Sequence, residues 1–139
     1  MSRIAFSLAA AFALISSSAQ AQDAEQGLTV AEFLEIWGKI DMAGIQKDME
    51  ATGTFDRDKY PNAKRATVEL ERVAKAYRAQ VEADRKAGRK AHSCLPEGEA
   101  EVSTAEMLPH LEAFEPAGRG AETMDVAFAE LMLKTYPCD

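Results

Sequence analysis

Tyr136-Pro137-Cys138-Asp139 is the stretch of sequence that most constrains the fold. Pro137 stops the apolar pattern of a final helix, and Cys138 follows it directly. The only other cysteine is Cys94, in the middle of the chain. In an exported chain such a pair is most simply an intramolecular disulfide, since compartments outside the cytoplasm are oxidising. An intermolecular bond or a shared metal site is the alternative. The predicted bond closes the second half of the chain into a loop.

The first 21 residues have the pattern of a secretory signal peptide. Arg3 provides a basic start, residues 4–15 are apolar, and Ala19-Gln20-Ala21 has the small residues of a cleavage site. A transmembrane anchor is the alternative, but the apolar run is only about a dozen residues, whereas a membrane-spanning helix needs about 20. We therefore expect cleavage after Ala21, a periplasmic or secreted location, and no membrane insertion of the remaining chain.

Length and charge limit the classes of partner. Cleavage after Ala21 leaves 118 of the 139 residues, enough for a single domain over residues 22–139. The sequence has 16 basic and 23 acidic side chains, and loss of Arg3 takes the formal net charge from −7 to −8. This excess of carboxylates disfavours nucleic acid and anionic membrane surfaces, because both are bound through Lys and Arg. A basic or neutral protein partner remains open.

Apolar residues recur at three- and four-residue steps in four stretches, which predicts an all-α, compact four-helix domain closed by one disulfide. Capping-box patterns at Thr29–Glu32 and Ser103–Glu106 mark the starts of two helices. The first is predicted to end at Gly44, and residues 45–60 are predicted to be a connector with at most one short helical turn. The other two helices are predicted over residues 61–87 and 122–136.

The helix faces predict which side chains are buried. Four methionines are interpreted as core filler, because this flexible side chain fills gaps between helices: Met42, Met107, Met124 and Met132. In the longest helix the predicted core stripe is Ala63, Ala66, Leu70, Val73, Tyr77 and Val81. In the last helix Val126 and Leu133 are expected to broaden the apolar face. Charged positions of the longest helix, including Glu69 and Arg72, are interpreted as a solvated face, with a basic recognition helix as the alternative.

No group of residues in the sequence indicates catalysis. The two histidines are His92 and His110, and neither has a recognisable partner. His92-Ser93-Cys94 could pair a base with a nucleophile, but a disulfide would consume the thiol. The sequence therefore predicts a non-enzymatic protein without catalytic, cofactor-binding or metal-binding residues.

The turn that follows Cys94 is the candidate partner-binding segment. Leu95, Pro96, Glu97 and Gly98 form a turn-prone run that cannot extend the preceding helix. A loop that is ordered beforehand can enter the cleft of another protein with little loss of entropy. A plain connector is the alternative interpretation.

Several segments together resemble the C-terminal half of the Rap/Tai immunity proteins. They are Cys94-Leu95-Pro96-Glu97-Gly98, residues 103–111, residues 127–132 and Tyr136-Pro137-Cys138. The resemblance implies a small helical periplasmic protein, in many members a homodimer, that neutralises a peptidoglycan amidase delivered by type VI secretion. The residues that match the family's pattern are the cysteine pair, Cys94 and Cys138, and the Pro96–Gly98 turn. The N-terminal half lacks the additional cysteine and the Gly-rich helical motif of characterised members.

We therefore expect a protein that inhibits a cell-wall amidase by protein–protein contact. The alternative is a general envelope binding protein or one similar to the small helical acid-stress chaperones. Such a chaperone would protect client proteins at roughly pH 3 to 4, where Asp and Glu become neutral. The sequence leaves the partner's identity and the oligomeric state open, because an apolar stripe can be buried within a monomer or across a dimer.

Overall fold

The structure is a computed structural model that describes residues 27–96 and 100–138. It contains five α-helices in those ranges: α1 Val30–Gly38, α2 Met42–Thr52, α3 Pro61–Lys86, α4 Thr104–Glu112 and α5 Met124–Thr135. A short 3₁₀ turn, Arg57–Lys59, precedes α3. The described ranges contain no strand, so the all-α prediction is confirmed, whereas the predicted count of four helices is wrong by one. The signal peptide predicted for residues 1–21 lies outside the described residues.

The additional helix, α2, arises where a helix tail and a connector were predicted. α1 ends at Gly38, and the Asp41 carboxylate then caps α2 by accepting the backbone N–H of Gly44 at 2.8 Å. Gly44 therefore lies in the first turn of α2 and does not end α1. Gly53 ends α2 with φ of 68°, a left-handed conformation that glycine adopts without strain. Asp41 as an N-cap is the signal that indicates this helix.

The hydrophobic core lies between α1, α3, α4 and α5. α2 contributes no buried residue and makes no helix-to-helix contact among the described elements. Four helices thus build the core, as expected, and the fifth lies outside it. The buried core residues are Val30, Phe33, Ile36, Ala66, Val73, Met107, Leu111, Met124, Ala127, Phe128, Leu131 and Met132.

Four side chains differ from their predicted burial. Met42 is 59% exposed because α2 lies outside the core. Val126 and Leu133, seven residues apart on α5, share a solvent-facing side of that helix and are 46% and 43% exposed. Glu69, by contrast, was predicted on a solvated face and is only 7% exposed. Its burial is possible because a guanidinium on the next turn of α3 and a backbone N–H donate to its carboxylate.

The starts of α1 and α5 are joined to each other. Each helix begins at an N-capping threonine, Thr29 and Thr123, and the two caps form an isolated antiparallel bridge. The backbone N–H of Val30 donates to the Glu122 carbonyl at 2.9 Å. These bonds satisfy donors that helix starts leave unpaired, and they place the two helices side by side over the core.

Both predicted capping boxes are present, at Thr29–Glu32 and Ser103–Glu106. The backbone N–H of Thr29 donates to Glu32 at 2.8 Å, and that of Ser103 donates to Glu106 at 2.9 Å. These hydrogen bonds favour the ionised carboxylates, so the pKa of Glu32 and that of Glu106 are lowered from their ordinary value. Each carboxylate therefore holds its helix start in place as long as it stays ionised.

We expect acid to weaken the fold through these caps. A carboxyl group whose folded pKa is lowered stabilises the protein above its unfolded pKa of about 4.3, and this stabilisation is lost as pH falls through the folded value. Urea unfolding at a series of pH values between about 5 and 3 measures the decline. Glu32→Gln should flatten the pH dependence, whereas Glu130→Gln, on the exposed side of α5, should retain it. Equal slopes for both variants would contradict the assignment.

Candidate functional site

The two cysteines form the predicted intramolecular disulfide. The Sγ atoms of Cys94 and Cys138 are 2.02 Å apart and their Cα atoms 5.0 Å apart. Next to the bond, the backbone N–H of Cys94 donates to the Tyr136 carbonyl at 2.9 Å. The end of α5 is thus attached to the middle of the chain by one covalent and one hydrogen bond. A disulfide indicates an oxidising, non-cytoplasmic compartment.

Tyr77 of α3 holds the residues that precede the disulfide. Its hydroxyl lies 2.7 Å from Ser93 Oγ and 3.0 Å from His92 Nδ1. Its ring packs edge-on against Phe128 of α5. Ser93 is fully buried, and the thiol of Cys94 is consumed by the disulfide. The Ser93 hydroxyl and the Cys94 sulfur are therefore not available as nucleophiles, and the polar groups of this tripeptide position the loop.

Tyr77→Phe is expected to destabilise the protein by about 1–2 kcal/mol, because it removes a hydrogen-bond partner from the buried Ser93 hydroxyl. The free energy of unfolding in urea measures the loss. Tyr136→Phe is a matched control, since the Tyr136 hydroxyl donates to the carbonyl of Glu101 at an exposed position, where water can replace it. Its expected loss is about 0.5 kcal/mol or less. A Tyr77→Phe protein no less stable than this control would show that Ser93 does not depend on Tyr77.

The described residues on either side of the loop after the disulfide each accept one hydrogen bond from a side chain. On one side Arg85 Nη2 of α3 donates to the Leu95 carbonyl at 3.3 Å. On the other side the Tyr136 hydroxyl donates to the Glu101 carbonyl at 3.1 Å. The two flanks of the predicted partner-binding segment are therefore tied to α3 and to the end of α5.

The predicted partner-binding residues are only partly described. Leu95 packs against the core and is half-buried, while Pro96 next to it is exposed. Glu97 and Gly98 lie outside the described residues. The structure thus places the first half of this segment beside the disulfide.

A cavity of about 600 Å³ lies beside this loop. It is bounded by Leu70, Glu71 and Ala74 of α3, by residues 100–103, by the start of α4, and by Phe128 of α5, which is buried in the core. We call it the α3–α4 groove. A smaller cavity of about 260 Å³ shares Ala74, Ala100 and Phe128 with it and extends to Leu95. The groove is formed by residues that are far apart in sequence, so periodicity alone does not indicate it.

A second cavity, of about 470 Å³, lies between α2 and the start of α3. Asp48 of α2 accepts the hydroxyl of Tyr60 at 2.7 Å and pairs with Lys59 at 2.5 Å. The pKa of Asp48 is lowered mainly by the hydrogen bond from Lys59 and, to a smaller extent, by the hydrogen bond from Tyr60. These mutually satisfied groups attach the peripheral helix α2 to the rest of the fold, so we interpret them as structural.

The described residues contain neither a cluster of metal ligands nor a helix that could span a membrane. Within residues 27–96 and 100–138, no three His, Cys, Asp or Glu side chains lie close enough to hold a metal ion. His110 Nε2 lies 2.9 Å from the Ala127 carbonyl, which fixes α4 to α5. No helix in the same two ranges is long and apolar enough to cross a bilayer.

Sequence and structure comparisons give no relatives from which a function could be transferred. Family models, curated proteins and solved structures all return no match to this chain. The Rap/Tai resemblance therefore stays a prediction from the segments between residues 94 and 138. The candidate site, made of Leu95 and Pro96 next to the disulfide and of the α3–α4 groove, is identified from its own geometry.

Proposed function

We propose that this chain is an exported, non-enzymatic binding protein of the periplasm or cell exterior that inhibits a peptidoglycan amidase by protein–protein contact. The observation that carries the proposal is the disulfide that attaches Cys94, directly before the loop, to Cys138 after α5, together with the hydrogen bond from the Cys94 N–H to the Tyr136 carbonyl. A segment held in place before binding loses little conformational entropy when it enters a cleft. The resemblance of residues 94–138 to immunity proteins supports the same class of partner.

The surroundings of the loop suit a contact surface better than a reaction centre. Pro96 is exposed, and the smaller cavity that shares Phe128 with the α3–α4 groove reaches Leu95, the residue before it. The hydroxyl of Ser93, by contrast, is buried and bonded to Tyr77. An exposed residue close to an apolar recess suits contact with another protein.

The test is inhibition of a panel of recombinant papain-like cell-wall amidases acting on purified peptidoglycan. The oxidised protein should inhibit at least one of them at equimolar ratio. Pro96→Gly, which frees the fixed φ angle of the turn, should weaken inhibition about two- to fivefold. Pro116→Gly, in the exposed loop between α4 and α5, is the matched control and should inhibit normally. Failure to inhibit any amidase of the panel would contradict the proposal.

A second function, acid-stress protection of client proteins, is favoured by a different observation. Besides the two cap glutamates, three aspartates have lowered pKa values because basic side chains donate hydrogen bonds to them: Asp48, Asp58 and Asp84. The stability that these groups add is lost as pH falls through their folded pKa values, which weakens the fold in acid. Suppression of client aggregation at roughly pH 3, without inhibition of any amidase, would favour this function.

A further inference from the structure

The α3–α4 groove combines an apolar base with an acidic rim. Its apolar lining is Leu70, Ala74, Ala100, Val102, Met107 and Phe128. Its charged lining residues, among those described, are Glu71, Glu101 and Glu106, and all three are exposed. Among the residues that the structure describes, no basic side chain belongs to this lining. At about 600 Å³ the groove lies within the range of about 300–1,000 Å³ that recognition pockets occupy.

The rim carboxylates are available to a ligand to different degrees. Glu106 accepts the backbone N–H and the hydroxyl of Ser103 at 2.9 and 2.8 Å, which holds its charge in one position. Glu71 pairs with Arg57 at 3.3 Å, but both side chains are more than half exposed, so this pair contributes little. The backbone carbonyl of Glu101 accepts a hydrogen bond from the hydroxyl of Tyr136, directly after α5. Glu101 itself lies at the rim of the groove.

The charge around the groove is segregated along the chain. All basic side chains except Arg3, Arg119 and Lys134 lie between residues 39 and 90. Residues 100–138, which form one wall of the groove and the whole of α4 and α5, hold seven carboxylates against two bases. A recess lined by one sign of charge concentrates the field and attracts the opposite charge. The smaller neighbouring cavity is lined by Lys75 and Arg78, so the acidic rim belongs to the α3–α4 groove and does not continue into that cavity.

We infer that the α3–α4 groove binds a cationic, amphipathic segment of a partner protein, with a large apolar side chain on Phe128 and Lys or Arg at Glu71, Glu101 and Glu106. This inference rests on the proposed function, because it names the chemistry of the partner surface. The apolar base supplies burial, and the carboxylates select a basic segment and fix its direction.

The direct test is calorimetric titration of the oxidised protein with three matched peptides. The first is amphipathic and basic, the second carries Glu in place of each Lys or Arg, and the third carries Ser in place of each large apolar residue. Only the first should bind measurably, and its affinity should fall as NaCl is raised. Equal binding of the acidic peptide would overturn the charge assignment, and equal binding of the serine peptide would overturn the apolar one.

Two pairs of variants locate the binding site. Ala74→Trp fills the groove from an exposed position of α3 and should weaken binding of the basic peptide at least tenfold, whereas Ala76→Trp, exposed outside the groove lining, should not. Glu71→Gln combined with Glu101→Gln should weaken binding about tenfold, or roughly threefold for each charge. Glu82→Gln, exposed elsewhere on α3, is its control. Wild-type affinity in both groove variants would overturn the inference.

The amidase assay separates this inference from the proposed function. Peptide binding that Ala74→Trp abolishes, in a protein that inhibits no amidase, would contradict the function and support the groove assignment. Amidase inhibition that survives Ala74→Trp unchanged would support the function and contradict the groove as the partner site.

Discussion

The double variant Cys94→Ser/Cys138→Ser is expected to lose about 4 kcal/mol of folding free energy. The disulfide spans a sequence separation of 44 residues, and without it the unfolded chain regains the freedom that this loop closure removes. The bond also attaches the end of α5, which carries Met132 and Leu131 into the core. Urea unfolding of the oxidised wild type and of the double variant, at equal protein concentration, measures the difference.

Reduction of the wild type provides the matched control. With a reductant present, the wild type should unfold at the same urea concentration as the double variant, and the double variant itself should not respond. Native mass spectrometry of the unreduced protein should show no free thiol. A loss of less than about 1 kcal/mol would show that the disulfide does not constrain the unfolded chain as the loop length requires.

Arg72→Met is expected to destabilise the protein by about 2–3 kcal/mol, because it leaves the buried carboxylate of Glu69 without its cation. Arg72 donates to Glu69 through Nε at 2.9 Å and Nη2 at 2.8 Å, and reaches Asp125 of α5 at 2.6 Å. Glu69 also accepts the backbone N–H of Leu28 at 2.9 Å. Gly27 lies so close to this network that a Cβ there would overlap the guanidinium.

The hydrogen bonds from Arg72 to Glu69, and then those to Asp125, raise the pKa of the guanidinium above its ordinary value. Arg72 therefore joins α3 to α5, and Glu69 joins this pair of helices to Leu28, just before α1. Thermal unfolding and urea unfolding at neutral pH measure the loss in Arg72→Met. The double variant Arg72→Met/Glu69→Gln removes the buried charge but keeps an acceptor for Leu28, and should recover about 1 kcal/mol or more. Arg65→Met, at an exposed position of α3, is the control and should stay within about 0.5 kcal/mol of wild type.

This network explains one error of the sequence-based prediction. Glu69 and Arg72 follow the alternating charge pattern of an exposed helix face, and nothing near them in sequence indicates otherwise. Their partners are Leu28, 41 residues before Glu69, and Asp125, 53 residues after Arg72. Burial of a charge depends on such distant donors and acceptors, which periodicity within one helix does not report.

The sequence indicated the residues after Cys94 as a candidate partner-binding segment, whereas it did not indicate the α3–α4 groove. Turn chemistry after Cys94 identified Leu95 and Pro96, since proline restricts the backbone within a few residues. The α3–α4 groove needs α3, the segment at 100–104 and Phe128 of α5 to come together. None of these three elements forms the groove alone. The volume of the groove and its acidic rim therefore follow only from the way the elements pack together.

The amino-acid sequence by itself determined the all-α class, both capping boxes, the long helix that begins at Pro61 and the pairing of Cys94 with Cys138. These features rest on interactions within about four residues, or on there being only two thiols to join. Only the tertiary structure decided that α2 lies outside the core, that Glu69 is buried, and that an apolar groove with an acidic rim forms between α3, α4 and α5. Each of these depends on which distant surfaces meet, and that is set by the packing of all the helices together.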